Sequence, residues 1–306
     1  MSMPSSVILR DVSLRDGLQD EDPIPTESKI AIFEALVTAG VRELELTSFV
    51  RPDRVPAMAD ADAMCAATAD LAATNDVARW GLVLNRRGAE RALAAGLTHL
   101  QYVVSISDAH SRHNAGASTD DALDGFEAAA QPALDAGATV EMTLSTAFGC
   151  PYEGRIDPER VIEIARRVVG AGATSVGLAD TIGVAAPTEV ASLTSAVVAA
   201  LDGSGASVGA HLHDTRGLAI ANGLAALGAG AVRLDAAVGG LGGCPFAPGA
   251  SGNVAIEDLA HGLEAMDVDT GVAVDGLVDA ARLACDAVGR PVGSAVGVAG
   301  PRFATT

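Results

Sequence analysis

Residues 157–180 read DPERVIEIARRVVGAGATSVGLAD, and they contain the pattern that decides the fold. The first part, DPERVIEIARRVVGAG, has the apolar spacing of a helix. The last part, SVGLAD, is a short run that is typical of a buried strand. The glycines between them favour the left-handed backbone conformation that ends a helix. A helix followed at once by a strand is the repeating unit of a parallel α/β fold.

The same unit recurs along the whole chain. Eight short strand-like runs alternate with helix candidates such as TESKIAIFEALVTAG. The eight runs are VILRDV, VRELEL, RWGLVL, HLQYVVSIS, TVEMTLS, SVGLAD, SVGAHLH and AVRLDAAV. An AG or GAG precedes the next strand at Ala39-Gly40, Ala95-Gly96, Ala136-Gly137, Gly170-Ala171-Gly172 and Gly228-Ala229-Gly230. Eight βα units close a parallel barrel, so we predict a (β/α)8 TIM barrel. A doubly wound open sheet is the alternative, but the units run without an obvious topological break.

The chain reads as one domain that covers residues 1–306. The barrel is predicted over about residues 7–266, and the stretch VDGLVDAARLACDAVG predicts a helical extension outside it, over about residues 272–290. Barrels of about 250 residues are routinely single domains. No linker or low-complexity stretch interrupts the sequence.

Composition limits the binding partners and the cellular compartment that we expect for this protein. Lys and Arg number 20 against 39 Asp and Glu, a formal charge of −19. Such a surface repels nucleic acid, so we expect no nucleic-acid partner; adaptation to high salt would produce the same acidity. The four cysteines (Cys65, Cys150, Cys244 and Cys285) show no paired spacing, which favours a reducing compartment. We find no signal-like or membrane-length apolar segment and expect a cytoplasmic protein.

Two of the six histidines fall in HLHDTRG, residues 211–217. In a TIM barrel, functional residues lie at the carboxyl ends of the strands or in the loops that follow. His211 and His213 end the seventh strand, and residues two apart on a strand point to the same side. The other polar residues in such positions are Asp16, Glu45, Asp180 and Asn253. Two imidazoles with carboxylate and amide oxygens suit Mg²⁺ or Mn²⁺, with zinc as an alternative. Without a metal, the two histidines would only bond backbone groups in a buried layer.

The stretch VGGLGGCPFAPGASGN, residues 238–253, contains six glycines and Cys244. That is too much glycine for a helix or a strand. A long glycine-rich loop at a barrel mouth is typical of a closing lid, and an ordinary flexible connection is the alternative. A cysteine held there near a cation and Arg15 could serve as an acid or a nucleophile.

Several motifs together resemble the 3-hydroxy-3-methylglutaryl-CoA lyase family of metal-dependent TIM-barrel enzymes. They are RDGLQDE, ELTSFVRPDRVPAMAD, GCPYEG, ADTIG, HLHDTRGLAIANGL and GGLGGCPFAPGASGNVAIEDL. The resemblance runs from about residue 7 to about residue 290. The HxHD and RDG elements are shared with isopropylmalate and homocitrate synthases and with hydroxy-oxovalerate aldolases, whereas the glycine-rich stretch is more specific to the lyases.

The resemblance implies a role for each matching residue. The implied metal ligands are Asp16, His211, His213 and Asn253, and the implied catalytic residues are Arg15, Cys244, Glu45 and Asp180. The implied reaction cleaves a 3-hydroxy-3-methylglutaryl-type CoA ester into acetyl-CoA and a 3-oxo acid. Glu45 is expected to support Arg15 or the metal shell rather than to transfer a proton. A homodimer is also expected.

An acyl-CoA substrate requires a local basic patch for its phosphates. Arg86 and Arg87 follow the third strand and are candidates for this patch; the alternative is that they are ordinary solvated surface charges. Ser107 and Asn114, in SISDAHSRHN after the fourth strand, are further candidate contacts. That stretch departs from the family pattern, as does Leu14 where relatives carry proline. The departure leaves the acyl group open, with a larger 3-hydroxy-3-alkylglutaryl-CoA or another hydroxyacyl-CoA as alternatives. An aldolase of hydroxy-oxo acids and a non-catalytic barrel are the alternative functions.

Overall fold

A computed structural model describes residues 3–243, 252–300 and 302. Eight parallel strands close into a barrel in the order β1 to β8, with β8 paired to β1. The strands are β1 (Ile8–Asp11), β2 (Glu43–Ser48), β3 (Ala78–Leu82), β4 (His99–Ser105), β5 (Thr139–Ser145), β6 (Ser175–Asp180), β7 (Ser207–Leu212) and β8 (Arg233–Ala236). The predicted TIM barrel is therefore confirmed, and the open sheet is excluded.

Helices alternate with the strands and cover the outside of the barrel. They are α1 (Thr26–Thr38), α2 (Ala61–Thr74), α3 (Arg86–Ala94), α4 (Asp108–Ala115), α5 (Thr119–Asp135), α6 (Pro158–Gly170), α7 (Pro187–Ala200), α8 (Ala219–Gly228), α9 (Ile256–Glu264), α10 (Val274–Val288) and α11 (Ala295–Ala299). The expected C-terminal helix is α10, which packs against α1. Within the described ranges, no helix has both the length and the apolar character needed to cross a membrane.

Helix α6 shows how the sequence builds each unit. The Asp157 side chain accepts the backbone N–H of Glu159 at 3.0 Å and caps the helix, and Pro158 takes the first position, where its missing N–H costs nothing. The apolar residues that recur along the helix are buried against the barrel. Gly172 follows the helix with φ of 107°, a left-handed conformation that turns the chain into β6.

The barrel interior carries an ionic layer in place of the usual branched apolar side chains. Glu141 on β5 accepts two hydrogen bonds from Arg10 on β1, at 2.9 and 3.1 Å, and two from Arg233 on β8, at 2.5 and 2.9 Å. All three residues are buried. Gly209 makes room for this layer, since a Cβ there would lie 2.6 Å from the Arg233 guanidinium carbon. Removing one member of such a buried ion network typically costs about 3–5 kcal/mol, because a buried charge is left uncompensated.

Candidate active site

The carboxyl ends of β1 and β7 bring the predicted metal ligands together. After β1, a turn of π-helix (Ser13–Gly17) carries Asp16 over the barrel mouth. On β7 and just beyond it, His211 and His213 point to the same side, with ring centroids 5.2 Å apart. The Nε2 atoms of both histidines lie 3.8 Å from Oδ2 of Asp16. The pair on one face and its convergence with Asp16 agree with the sequence prediction.

These three residues offer one ligand atom each, all within 4.8 Å of one another, as a metal site requires. Asn253 joins them, since its Nδ2 donates to Asp16 Oδ2 at 2.8 Å and to the Leu241 carbonyl at 3.0 Å. Its Oδ1 is buried and accepts no hydrogen bond from the described residues. Two imidazoles, a carboxylate and an orphaned amide oxygen fit a divalent cation that prefers mixed nitrogen and oxygen ligands.

Neighbouring cations keep Asp16 in the ionised form that a metal ligand needs. Burial would raise the pKa of Asp16, but Arg15 and the two imidazoles outweigh it and hold this pKa well below its usual range. An ionised carboxylate at this position can bind a cation without first losing a proton.

Arg15 lies directly beside the candidate ligands. Its Nη1 is 2.5 Å from Asp16 Oδ1, and its Nε and Nη2 are both 2.5 Å from Oε2 of Glu45. Burial would lower the pKa of Arg15, but Glu45 and Asp16 raise it above the ordinary value. The guanidinium is therefore a positive charge that two carboxylates hold in place at the barrel mouth. The expectation that Glu45 supports Arg15 agrees with this contact, while a catalytic role for Glu45 stays a prediction.

Asp180 ends β6 and holds the loop that follows it. Its two carboxylate oxygens accept the backbone N–H groups of Val184 and Ala185 at 3.0 and 2.9 Å. The backbone N–H of His213 donates to the Asp180 carbonyl at 3.4 Å. Asp180 thus lies next to the ligand cluster, with both side-chain oxygens engaged by backbone. These contacts favour a positioning role, and the catalytic role that the resemblance implies for Asp180 stays a prediction.

Cys244 lies outside the described residues, but the start of its glycine-rich stretch is described. The backbone N–H of Val238 donates to Ser13 Oγ at 2.8 Å, and that of Gly239 donates to Glu257 at 2.9 Å. Burial raises the pKa of Glu257 to about 7. Sequence reasoning missed Glu257, although a carboxylate on the apolar face of α9 is a visible signal.

The predicted CoA contacts fall on or beside α3 and α4. Arg86 and Arg87 are exposed in the first turn of α3, where Arg86 Nε donates to Glu90 at 2.9 Å. Asn114 is exposed near the end of α4. Ser107 is buried instead, and its hydroxyl accepts hydrogen bonds from Cys150 Sγ at 2.8 Å and from the backbone N–H of residue 110 at 3.1 Å. Ser107 therefore caps α4, while the other three residues are exposed to solvent.

A second carboxylate that sequence reasoning missed lies behind His211. Asp235 on β8 is the register partner of His211, and its Oδ2 lies 3.5 Å from His211 Nδ1. Its Oδ1 accepts Arg233 Nε at 2.9 Å. Burial would raise the pKa of Asp235, but Arg233 and other neighbours outweigh it and hold this pKa below its usual range. The signal was present in AVRLDAAV, where an aspartate interrupts a buried strand.

A closed (β/α)8 barrel with two imidazoles, a carboxylate and an arginine at its mouth defines the class of barrel enzymes that bind a divalent cation at the carboxyl ends of the strands. The chain belongs to the HMGL-like family, whose model matches residues 6–284, and it is a lyase.

Three relatives cover nearly the whole chain. The (R)-citramalyl-CoA lyase of Chloroflexus aurantiacus is 41% identical and covers 97% of this chain and 96% of its own. The hydroxymethylglutaryl-CoA lyase of Bacillus subtilis is 38% identical, with 96% and 97% covered. The solved structure of an HMG-CoA lyase from Acinetobacter baumannii in complex with coenzyme A and 3-methylmalate has a TM-score of 0.90 at 34% identity, with 100% and 99% covered.

Proposed function

We propose that this lyase cleaves 3-hydroxy-3-methylglutaryl-CoA, or a close analogue, into acetyl-CoA and acetoacetate. The observation that carries the proposal is the contact of Arg15 with Asp16, which sets a fixed guanidinium beside a candidate metal-ligand cluster. A retro-Claisen cleavage needs both elements, because a hydroxyl must lose a proton at one end of the breaking bond while a thioester becomes an enolate at the other. A CoA-ester substrate is supported by the named substrates of the relatives.

The candidate cation is Mg²⁺ or Mn²⁺, held by Asp16, His211, His213 and Asn253. When bound, it would lower the pKa of the substrate hydroxyl and fix its orientation. The hydroxyl proton passes to a base. Asp16 and His211 are both candidates by position, and His211 can accept the proton only through a ring nitrogen that neither binds the cation nor already carries a proton.

Arg15 holds the thioester oxygen as the carbon–carbon bond breaks and its electron pair moves into the enolate. Cys244 then gives its thiol proton to the enolate carbon, which forms acetyl-CoA. Glu45 fixes the guanidinium of Arg15 during this charge movement, and Asp180 keeps the loop after β6 in place.

A second candidate substrate is (R)-citramalyl-CoA, since a lyase for it is 41% identical over the same length. It has one methylene fewer between the tertiary alcohol carbon and the free carboxylate, so the same cleavage would release pyruvate in place of acetoacetate. One methylene in a binding pocket is worth about 10–200-fold in discrimination. The two substrates are therefore separable by rate.

The test is a direct comparison of the two CoA esters and of a 3-ethyl homologue, each with Mn²⁺ or Mg²⁺. We expect the protein to release acetyl-CoA and acetoacetate from 3-hydroxy-3-methylglutaryl-CoA, and to stop in excess chelator. Faster release of pyruvate from citramalyl-CoA would move the assignment to the second candidate. The absence of acetyl-CoA from all three esters would contradict the proposal.

We expect the CoA phosphates to bind Arg86 and Arg87. The net charge of the protein is strongly negative, so binding of the phosphates requires a local patch of exposed positive side chains. Reversal of both to glutamate should raise the Michaelis constant far more than it lowers turnover. Reversal of Arg166 and Arg282, which lie exposed on α6 and α10, makes the same change in net charge and is the matched control. Steady-state kinetics measure both variants. An equal Michaelis constant in the two would place the CoA site elsewhere.

A homodimer and a cytoplasmic location stay predictions that accompany this function.

A further inference from the structure

Asp235 and Arg233 form a buried connection between the ionic layer of the barrel and the candidate metal site. The imidazole of His211 lies between two carboxylates, with Nε2 3.8 Å from Asp16 and Nδ1 3.5 Å from Asp235. Only Asp16 belongs to the ligand cluster. Asp235 faces the ring nitrogen that points away from the cluster, so it is placed to act on the ligand rather than on the metal.

We propose that Asp235, held by Arg233, is a positioning residue that keeps the His211 proton on Nδ1 and leaves Nε2 free to bind the metal. This inference rests on the proposed metal site. A ligating histidine commonly donates its second ring N–H to a carboxylate, which fixes both the tautomer and the ring orientation.

Arg233 fixes the orientation of the Asp235 carboxylate, so that only one of its oxygens faces His211. Its Nε donates to Asp235 Oδ1 at 2.9 Å, while its terminal nitrogens are held by Glu141 at 2.5 and 2.9 Å. Gly209 leaves no side chain between this guanidinium and β7, so Arg233 packs directly against the strand that carries His211. One oxygen of Asp235 is thus committed to Arg233, and the other faces His211.

The expected effect of Asp235→Asn on metal binding follows from which of the neighbouring groups can donate a hydrogen bond and which can accept one. Because Arg233 can only donate, the asparagine must turn its oxygen to Arg233 and its amide N–H groups to His211. Nδ1 then has to accept, which moves the ring proton to Nε2 and blocks the metal-facing nitrogen. Exchange of one oxygen for an NH₂ group of similar size should therefore weaken Mn²⁺ binding by about 10–100-fold.

The experiment measures the Mn²⁺ dissociation constant by electron paramagnetic resonance of the free ion, without substrate. Asp235→Asn should bind Mn²⁺ more weakly than the parent. Without Arg233 the asparagine can turn its oxygen towards His211, so adding Asp235→Asn to Arg233→Met should change Mn²⁺ affinity little. Glu43→Gln is the control: Glu43 bonds Arg10 at the far end of the same network, and its loss should leave Mn²⁺ affinity unchanged. Equal loss in both backgrounds, or no loss in either, would overturn the inference.

A measurement on the unmutated protein covers the case in which a variant does not fold. In the Mg²⁺-loaded protein, ¹⁵N-labelled histidine spectra should show a proton on Nδ1 of His211, and a proton on Nε2 would overturn the inference. Failure of the metal site itself is separable, because His213→Ala would then bind Mn²⁺ as the parent does. Loss of binding in His213→Ala with normal binding in Asp235→Asn would reject the inference alone.

Discussion

His213→Ala should lose Mn²⁺ affinity by more than about 100-fold, since removal of a direct ligand costs more than the 10–100-fold typical of residues behind the ligands. Activity should fall with it, while the barrel stays folded, because the side chain lies beyond the end of β7 rather than in the apolar core. The measurements are Mn²⁺ titration, acetyl-CoA release and thermal unfolding followed by circular dichroism.

Thermal unfolding also separates metal loss from misfolding. A ligand at 100 times its dissociation constant adds about 2.7 kcal/mol to the free energy of unfolding. Mn²⁺ should therefore raise the melting temperature of the parent and leave that of His213→Ala unchanged, while the two melt together in chelator. His261→Ala, which removes an imidazole from the outer helix α9, should behave as the parent. If His213→Ala binds Mn²⁺ normally, the assigned ligand set is wrong.

Arg15→Lys is expected to lower turnover by about 100- to 1,000-fold, the usual cost of one lost donor to a developing oxyanion. Lysine keeps the charge but has no planar fork, so it cannot bond Glu45 and Asp16 and still face the thioester oxygen. The Michaelis constant should change little, because the lost interaction forms only as the bond breaks.

Steady-state kinetics with each CoA ester measure this effect, and single-turnover rates show whether the bond-breaking step carries it. Arg79→Lys is the control, since Arg79 bonds the Cys65 carbonyl and Thr68 on the outside of the barrel. Turnover of Arg15→Lys within a few-fold of the parent would show that only the charge matters. A large rise in the Michaelis constant with normal turnover would make Arg15 a binding residue instead.

The sequence predicted the barrel and most of the candidate ligand cluster because both depend on short-range patterns. A helical period, a glycine such as Gly172 and a strand-like run recur within each unit, so the fold can be read one unit at a time. The spacing of His211 and His213 places them on one face without knowledge of the rest of the chain. Asp16 follows from the rule that barrel sites lie at the carboxyl ends of strands.

The contacts that orient those residues and set their charge could not be predicted in the same way, because they join residues far apart in the sequence. Arg15 meets Glu45 across 30 positions, Arg233 meets Glu141 across 92, and Ser13 meets Val238 across 225. Sequence reasoning named Asp180 as catalytic, but its engagement by the backbone of Val184 and Ala185 appears only when the loop after β6 is in place. It overlooked Asp235: the aspartate in AVRLDAAV is visible in the sequence, whereas its contact with His211 appears only when β8 lies beside β7.

The sequence by itself thus determined the eight βα units and the face on which the two histidines lie, since backbone periodicity and side-chain alternation are set by neighbouring residues. Only the tertiary structure decided that Asp235 stands behind His211, that Arg15 is held between Asp16 and Glu45, and that an ionic layer fills the barrel below them. The physical reason is that the eight strands close into a barrel. The register of β8 against β7 and β1 brings together groups far apart in the chain, and their charges interact strongly because the closed barrel removes them from water.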